Sequence, residues 1–202
     1  MDPQAPAATE TRLVPVLSLD EVSLFPGGSL SALLDGPGAV AAVGLAARSG
    51  GTLLAVTRRE DGGPRNVYRV GTLATVGEGA AAASLGSRVE LEGHCRARIE
   101  HLVGSVDLLV AEVRTVPEGD PGEEWGPAVE ALARYLHGHP ELRSFLDRQR
   151  RSGEPTRWVA LACQHLPITA SARQKLLEAG ARERCAKISR GLEALLRKEH
   201  IL

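Results

Sequence analysis

A strict alternation of apolar and polar residues runs from Arg88 to Glu100 and constrains this chain more than any other feature. The odd positions are apolar, namely Val89, Leu91, Cys95, Ala97 and Ile99, and the even positions are polar, namely Arg88, Glu90, Glu92, His94, Arg96, Arg98 and Glu100. A period of two predicts a strand with one buried face. Gly93 falls on the buried side in the middle of this run, so we expect the strand to bend or bulge there, as strands in closed or strongly coiled sheets do.

The stretch from Leu13 to Leu34 contains two apolar runs joined by Pro26, Gly27 and Gly28. Pro26 biases the preceding Phe25 toward extended geometry, and the two glycines allow the chain to reverse directly afterwards. We therefore interpret the stretch as core and turn, with Phe25 buried in the β-rich part, and not as an active site.

The remaining pattern predicts strands first and helices afterwards. Short β-branched runs bounded by Gly and Pro favour strands near 52–57, 67–76 and 108–116, and a helix beginning at Pro37. Beyond these the period is helical, with one helix opened by Pro127 and another capped by Thr169. The sequence thus predicts an α+β chain with four parts: a disordered leader at 1–11, a β-rich unit at 12–117, a linker at 118–126 and a helical unit at 127–202.

The composition narrows the classes of function. The chain has 202 residues, 43% of them hydrophobic, and a formal net charge of −1, so it is long enough to bury a core and lacks the basic excess of a phosphate-binding protein. No stretch is long and apolar enough to cross a bilayer, so no membrane partner is expected. Its three cysteines are widely spaced and odd in number, which favours reduced thiols in a cytoplasmic protein.

The sequence predicts no enzymatic activity. A phosphate-binding loop needs glycines leading into Lys, whereas none of Lys175, Lys187 and Lys198 follows a glycine. Ser171 and Lys175 are four residues apart on a predicted helix, but no oxyanion-hole signature accompanies them, so we interpret them as helix surface.

No cofactor or metal site is expected either. His137 and His139 flank a glycine, and Cys163 and His165 are two apart, but helical residues two apart point to different faces and no second pair has the spacing of a zinc site. Trp125, in the predicted linker, is a weak candidate for a partly exposed protein-binding residue. In the last helix an apolar seam made by Cys185, Ile188, Leu192 and Leu195 makes homo-oligomerisation through that helix a hypothesis.

Four blocks of the chain, in order, resemble the N-terminal substrate-binding domain of Lon proteases. They are Val14–Leu17 with Leu24–Gly27, then Tyr68–Ala74, then Glu92–Gly93 with Arg96–Ile99, and finally Gln174–Glu178 followed by Arg182–Leu196. The resemblance implies a β-rich PUA-like pseudo-barrel followed by a helical bundle. It also implies a non-catalytic module that binds unfolded client polypeptides or a partner protein, through an apolar groove expected on the β-rich unit or at its junction with the helices.

Two other hypotheses stay open. PUA-like folds also host small-molecule and RNA sites, although Arg88, Arg96 and Arg98 share one predicted strand face with acidic residues, and that mixed-sign surface argues against nucleic acid. Alternatively, the chain is a fragment of a complete ATP-dependent protease.

Overall fold

A computed structural model of the chain describes residues 11–59, 63, 65–150 and 155–199, so the predicted leader lies outside the described residues except for Thr11. The strands are β1 (Thr11–Leu19), β2 (Ser29–Leu33), β3 (Thr52–Thr57), β4 (Val70–Val76), β5 (Arg88–Ser105) and β6 (Leu108–Thr115). The helices are α1 (Pro37–Arg48), α2 (Trp125–His137), α3 (Pro140–Arg150), α4 (Pro155–His165), α5 (Ala170–Glu178) and α6 (Ala181–Glu199). The predicted α+β class is confirmed.

The sheet closes on itself. Its strand order is β2-β5-β4-β3-β1-β6, and β6 pairs with β5 as well as with β1. Only the β1–β3 pair is parallel. The strands β1, β3, β4, β5 and β6 therefore form a ring, and β2 extends the first part of β5 outside it. The 18-residue length of β5 makes this possible, because its successive segments serve β2, β4 and β6 in turn.

Buried apolar clusters lie on both faces of this sheet. One cluster, the barrel core, takes residues from every ring strand, including Val16, Leu54, Leu73, Ile99 and Ala111. A second cluster lies on the other face beneath α1, where residues of β1, β2, β3, β4 and β5 pack with the helix residues Val43 and Ala46. Strands covered on both sides need nearly continuous apolar sequence, as Thr52–Thr57 has.

The bulge expected near Gly93 is confirmed, one residue further along. Leu73 pairs with Cys95 and Ala74 pairs with Gly93, so His94 is the extra residue. A Cβ at position 93 would overlap the Phe25 carbonyl oxygen, which explains the glycine. The bulge also changes which face the odd residues occupy: Val89 and Leu91 pack on the outer side, whereas Ala97 and Ile99 fill the barrel core.

The expectation for Arg96 is wrong. We expected its side chain on a solvated strand face with Arg88 and Arg98, but it is only 1% exposed, while Arg88 and Arg98 are exposed. Arg96 is buried because the linker and the end of α5 cover this part of β5. The alternating pattern correctly predicted a strand, but it carries no information about which other segments pack over that strand.

The helices pack around a third cluster, the helical core. The helix predicted to open at Pro127 begins two residues earlier, at Trp125, and Thr169 caps α5 as predicted, its side chain accepting a hydrogen bond from the Ala172 amide at 3.2 Å. Phe25 is buried as expected, but it belongs to the helical core and not to the β-rich cores. Among the helices of the described ranges, none has the length and apolar character needed to span a bilayer.

The turn after β1 docks against α4. The Gln164 side chain accepts a hydrogen bond from the Phe25 amide at 3.0 Å and donates one to the Ser29 carbonyl at 2.9 Å. A Cβ at Gly28 would overlap the end of that side chain, so a larger residue at this position would displace Gln164 from these hydrogen bonds. Gly27, in contrast, has a φ of 80°, the left-handed conformation that favours glycine.

Candidate functional site

An apolar groove lies between α5 and α6 and is closed at one side by the turn that joins α4 to α5. Its volume is about 380 Å³. Its lining residues, which define what we call the α5–α6 groove, are Leu166, Pro167, Ile168, Ala172, Lys175, Leu176, Lys187, Ile188, Gly191, Leu192 and Leu195. Only the two lysines among them are polar, so the groove can hold apolar side chains and offers cations to whatever lies beside them.

Local sequence builds the closed side. Pro167 cannot continue α4, and Thr169 begins α5 as its N-cap. Arg173 reaches back from α5 and donates hydrogen bonds to the carbonyls of Leu166 at 3.0 Å and Ile168 at 3.1 Å. It also donates to the carbonyl of Glu21, which follows β1. These bonds fix the wall of the groove to the β-rich part. Burial of the Arg173 side chain lowers its pKa.

The floor belongs to the helical core. Leu176, Ile188 and Leu192 are 8%, 3% and 2% exposed, and pack with residues of the other helices. Leu195, one turn beyond Leu192, is 38% exposed and extends the apolar surface toward solvent. Gly191 lies between Ile188 and Leu192 along α6, and a Cβ at that position would meet nothing within 4 Å, so the helix leaves open space there.

The rim carries positive charge. Lys175 is exposed on α5. Lys187 lies on α6, and its Nζ is 2.8 Å from Glu183 Oε1 across one helical turn. This hydrogen bond lowers the pKa of Glu183, which is itself exposed. A surface pair of this kind contributes about 0–1 kcal/mol, so a carboxylate from another molecule can compete for the lysine.

Buried charges hold α5 in place. The carboxylate of Glu118 in the linker accepts hydrogen bonds at 2.8 Å from both Arg96 and Arg184, whose side chains are each 1% exposed. The two guanidinium groups also donate to the last carbonyls of α5, those of Leu176, Leu177, Glu178 and Ala179. The last carbonyls of a helix have no partner within the helix, and its C-terminus carries a partial negative charge. The two guanidinium groups donate hydrogen bonds to these carbonyls and place positive charge beside this end of α5.

Burial lowers the pKa of Arg96, and the neighbouring Glu118 carboxylate opposes the shift. The arginine stays charged because its ordinary pKa is far above neutrality. The Arg96–Glu118–Arg184 cluster therefore acts as a clamp that joins β5, the linker, α5 and α6, and positions one wall of the groove.

Trp125 does not line the groove. It is the first residue of α2, is half-buried and packs against the helical core. It stays a predicted contact residue at a separate place on the surface. Trp158, in contrast, is 6% exposed and lies within the helical core, as expected of a structural residue.

Cys163 and His139, two of the residues weighed as metal ligands, have structural surroundings. Cys163 is fully buried, donates to the Val159 carbonyl, and burial raises its pKa to about 12, which disfavours the thiolate that nucleophiles and metal ligands require. His139 stacks on Tyr135 with ring centroids 4.3 Å apart. Among the described residues, no group of three or more His, Cys, Asp or Glu side chains could hold a metal ion.

A second groove, of about 530 Å³, lies beside β2, β4 and β5 and is polar. It contains the carboxylates of Glu78, Glu90 and Glu92, and neither Lys nor Arg lines it. Its charge disfavours phosphate groups. Together with the burial of Arg96, this groove weakens the case for nucleic-acid binding on the β-rich part.

The α5–α6 groove lies within the helical half, whereas we expected an apolar groove on the β-rich unit or at its junction with the helices. Two of its floor residues, Ile188 and Leu192, belong to the predicted seam of the last helix, whereas Leu176 does not. Periodicity alone cannot tell which seam residues are covered by neighbours. Gly191 is the one feature of the sequence that could have indicated the groove. A glycine inside a helix costs about 1 kcal/mol relative to alanine, which suggests a reason other than helix stability for the missing side chain.

The chain matches a family model described as the ATP-dependent protease La (LON) substrate-binding domain over residues 13–193. It is 36% identical over 118 residues to a Lon protease of Phenylobacterium zucineum, an alignment that covers 56% of this chain and 14% of that protein. It is 27% identical over 182 residues to a Lon protease of Elusimicrobium minutum, covering 83% of this chain and 22% of that protein. The chain thus spans less than a quarter of the length of these relatives.

Solved structures show the same fold. The N-terminal domain of Mycobacterium avium complex Lon protease superposes with a TM-score of 0.74 at 25% identity, covering 90% of this chain and 98% of that one. The Lon N-terminal domain protein from Xanthomonas campestris superposes with a TM-score of 0.58 at 18% identity, covering 92% of this chain and 98% of that one. The similarity includes both the closed sheet and the helical half, because it extends over nine-tenths of the chain.

Proposed function

The chain belongs to the family of Lon substrate-binding domains, and from that premise we propose that it is a non-catalytic module that binds client polypeptides in the α5–α6 groove. The single observation that carries the proposal is the groove itself, whose lining is apolar apart from two lysines. Unfolded clients expose apolar side chains that folded proteins bury, so an apolar concave surface distinguishes the two.

The position of the groove supports the proposal. Its closed side is fixed to the β-rich part by Arg173, and α5 is held by the Arg96–Glu118–Arg184 clamp. A preformed site loses less conformational freedom when it binds than a flexible one does, and this favours affinity. The groove can therefore receive a segment without first being organised by it.

We further propose that any proteolysis of the bound client is carried out by ATPase and peptidase parts outside the described residues, whether on the same polypeptide or on a partner. The names of the relatives, Lon protease, motivate this. A cytoplasmic location is part of the proposal, and the free thiols of Cys95, Cys163 and Cys185 support it, since reduced cysteines are typical of that compartment.

A substitution at the open end of the groove tests the site. Leu195→Asp places a charge on its apolar surface without opening the buried floor, because Leu195 is 38% exposed. We expect it to weaken the binding of a reduced, amidomethylated and therefore permanently unfolded polypeptide by about tenfold, or about 1.4 kcal/mol. Fluorescence anisotropy measures the affinity, and circular dichroism checks the fold.

Leu85→Asp is the matched control. Leu85 is 66% exposed and follows β4 in the loop before β5, away from the groove. The control should bind the unfolded polypeptide as the parent chain does. Equal losses in the two variants, or no loss in Leu195→Asp, would show that the groove is not the binding site.

A further inference from the structure

The charged residues that line the α5–α6 groove are both cationic. Lys175 comes from α5 and Lys187 from α6, so the two helices each contribute one ammonium group to the rim. Among the residues whose side chains the structure describes, no carboxylate lines the groove, although Glu183 contacts Lys187 from outside it. A segment seated on the apolar floor thus has a cation on either side.

The apolar surroundings increase the effect of these charges. Leu176, Ile188 and Leu192 form an apolar floor, and a segment seated on it would displace water from the rim, which strengthens attraction between opposite charges by lowering the local dielectric constant. A ligand cation placed next to Lys175 would instead meet a like charge and be repelled, most strongly at low salt. Charge complementarity at a rim gives specificity and raises the rate of association.

From this arrangement we infer that the groove selects apolar segments flanked by acidic residues, the apolar side chains occupying the floor and the carboxylates pairing with Lys175 and Lys187. The inference rests on the proposed function, because it names which client segments the same groove prefers. A carboxylate that approaches Lys187 takes the place of Glu183, whose exposed pair with that lysine is weak.

Two synthetic peptides with one fluorophore and an identical central run of leucine and phenylalanine test the inference. One carries two aspartates on each side of the run and the other carries two lysines. We expect the aspartate peptide to bind the full chain about tenfold more tightly at about 50 mM salt, and this preference to shrink as salt screens the rim charges. Fluorescence anisotropy supplies both affinities.

The double variant Lys175→Glu with Lys187→Glu should reverse the preference, because the rim then carries two carboxylates. A matched control, Arg48→Glu with Arg88→Glu, changes the net charge by the same amount at exposed residues of α1 and β5 outside the groove. It should keep the preference for the aspartate peptide. Reversal in both double variants would assign the selectivity to overall charge and overturn the inference.

The outcomes separate the inference from the proposed function. Equal affinity for the two peptides overturns the acidic preference and leaves polypeptide binding intact, whereas binding of neither peptide overturns both. A concentration-dependent dimer in sedimentation that is lost in Leu195→Asp would assign the groove to a second copy of the chain and also overturn the inference. Tight binding of a single-stranded RNA that is lost in the lysine variant would do the same.

Discussion

Arg96 shows how a single charged residue joins the two halves of this chain. Its guanidinium group bonds to Glu118, to the Pro117 carbonyl and to the end of α5, and almost none of it reaches solvent. Removing one partner from a buried, hydrogen-bonded charge cluster leaves the others without compensation, and this is more costly than the cluster's net contribution to folding. Loss of the Arg96 side chain should therefore destabilise the fold mainly by leaving buried polar groups without a hydrogen-bond donor.

We predict that Arg96→Ala lowers the free energy of unfolding by about 3–5 kcal/mol, since the carbonyls of Leu177 and Glu178 lose this donor and Glu118 keeps only Arg184. Urea denaturation followed by circular dichroism measures the change. Arg98→Ala is the matched control, because Arg98 lies two residues along the same strand and is exposed. Its effect should stay within about 0.5 kcal/mol. Equal effects of the two substitutions would contradict the account of the clamp.

The alternation in β5 correctly predicted the strand, and it placed Arg96 wrongly on a solvated face. A period of two shows which residues share a face, whereas burial of that face depends on what packs over it. Here the covering groups are separated from Arg96 by 21 residues or more, as with Pro117, or by more than 80, as with Glu178 and Ala179. Nothing local to β5 in the sequence carries that information.

At the scale of elements, local signals predicted most boundaries. Thr52–Thr57 forms β3 as expected, Pro37 begins α1 and Thr169 caps α5. Closure of the sheet depends instead on β6 pairing with both β1 and β5. Such pairing is set by bulges and by the length of β5, and residue periodicity does not reveal it, so only the family resemblance implied a barrel.

Gly191 lowers the stability of α6 relative to the same helix with alanine at that position. The residue lies inside a 19-residue helix, and a Cβ there would meet nothing within 4 Å. We predict that Gly191→Ala raises the free energy of unfolding by about 0.5–1 kcal/mol, because alanine restricts the unfolded chain and favours the helix. Thermal and urea denaturation measure the gain.

Gly93→Ala provides the contrast for that prediction. Its Cβ would overlap the Phe25 carbonyl oxygen at the bulge of β5, so this substitution should destabilise the chain. A loss of stability in Gly191→Ala comparable to that in Gly93→Ala would show that position 191 is packed, and that the groove is not open there.

At the scale of the whole molecule, contacts cross the predicted boundary between the β-rich and helical units. Phe25 from the turn after β1 lies in the helical core, and Gln174 of α5 donates to the Val70 carbonyl of β4 at 2.9 Å. The predicted linker at 118–126 supplies Glu118 to the clamp. The groove wall formed at 166–168 is also tied to the β-rich part through Arg173 and Glu21.

The location of the groove could not be predicted from sequence, because it too depends on contacts between residues that are far apart along the chain. Three of the four residues in the predicted α6 seam, Cys185, Ile188 and Leu192, are buried in the chain's own helical core, and only Leu195 is exposed. The homo-oligomer hypothesized for that seam stays a prediction with a smaller free surface. The resemblance indicated polypeptide recognition, and the groove specifies where we propose that it occurs.

The isoleucines of the chain allow a direct test of that site. Ile168 and Ile188 line the groove, Ile99 lies in the barrel core, and the remaining one is Ile201. In a methyl NMR titration with an unfolded, amidomethylated polypeptide, we predict that the signals of Ile168 and Ile188 shift with a common saturation curve while that of Ile99 stays fixed. Saturable binding that shifts Ile99 alone, or leaves Ile168 and Ile188 unchanged, would contradict recognition through the α5–α6 groove.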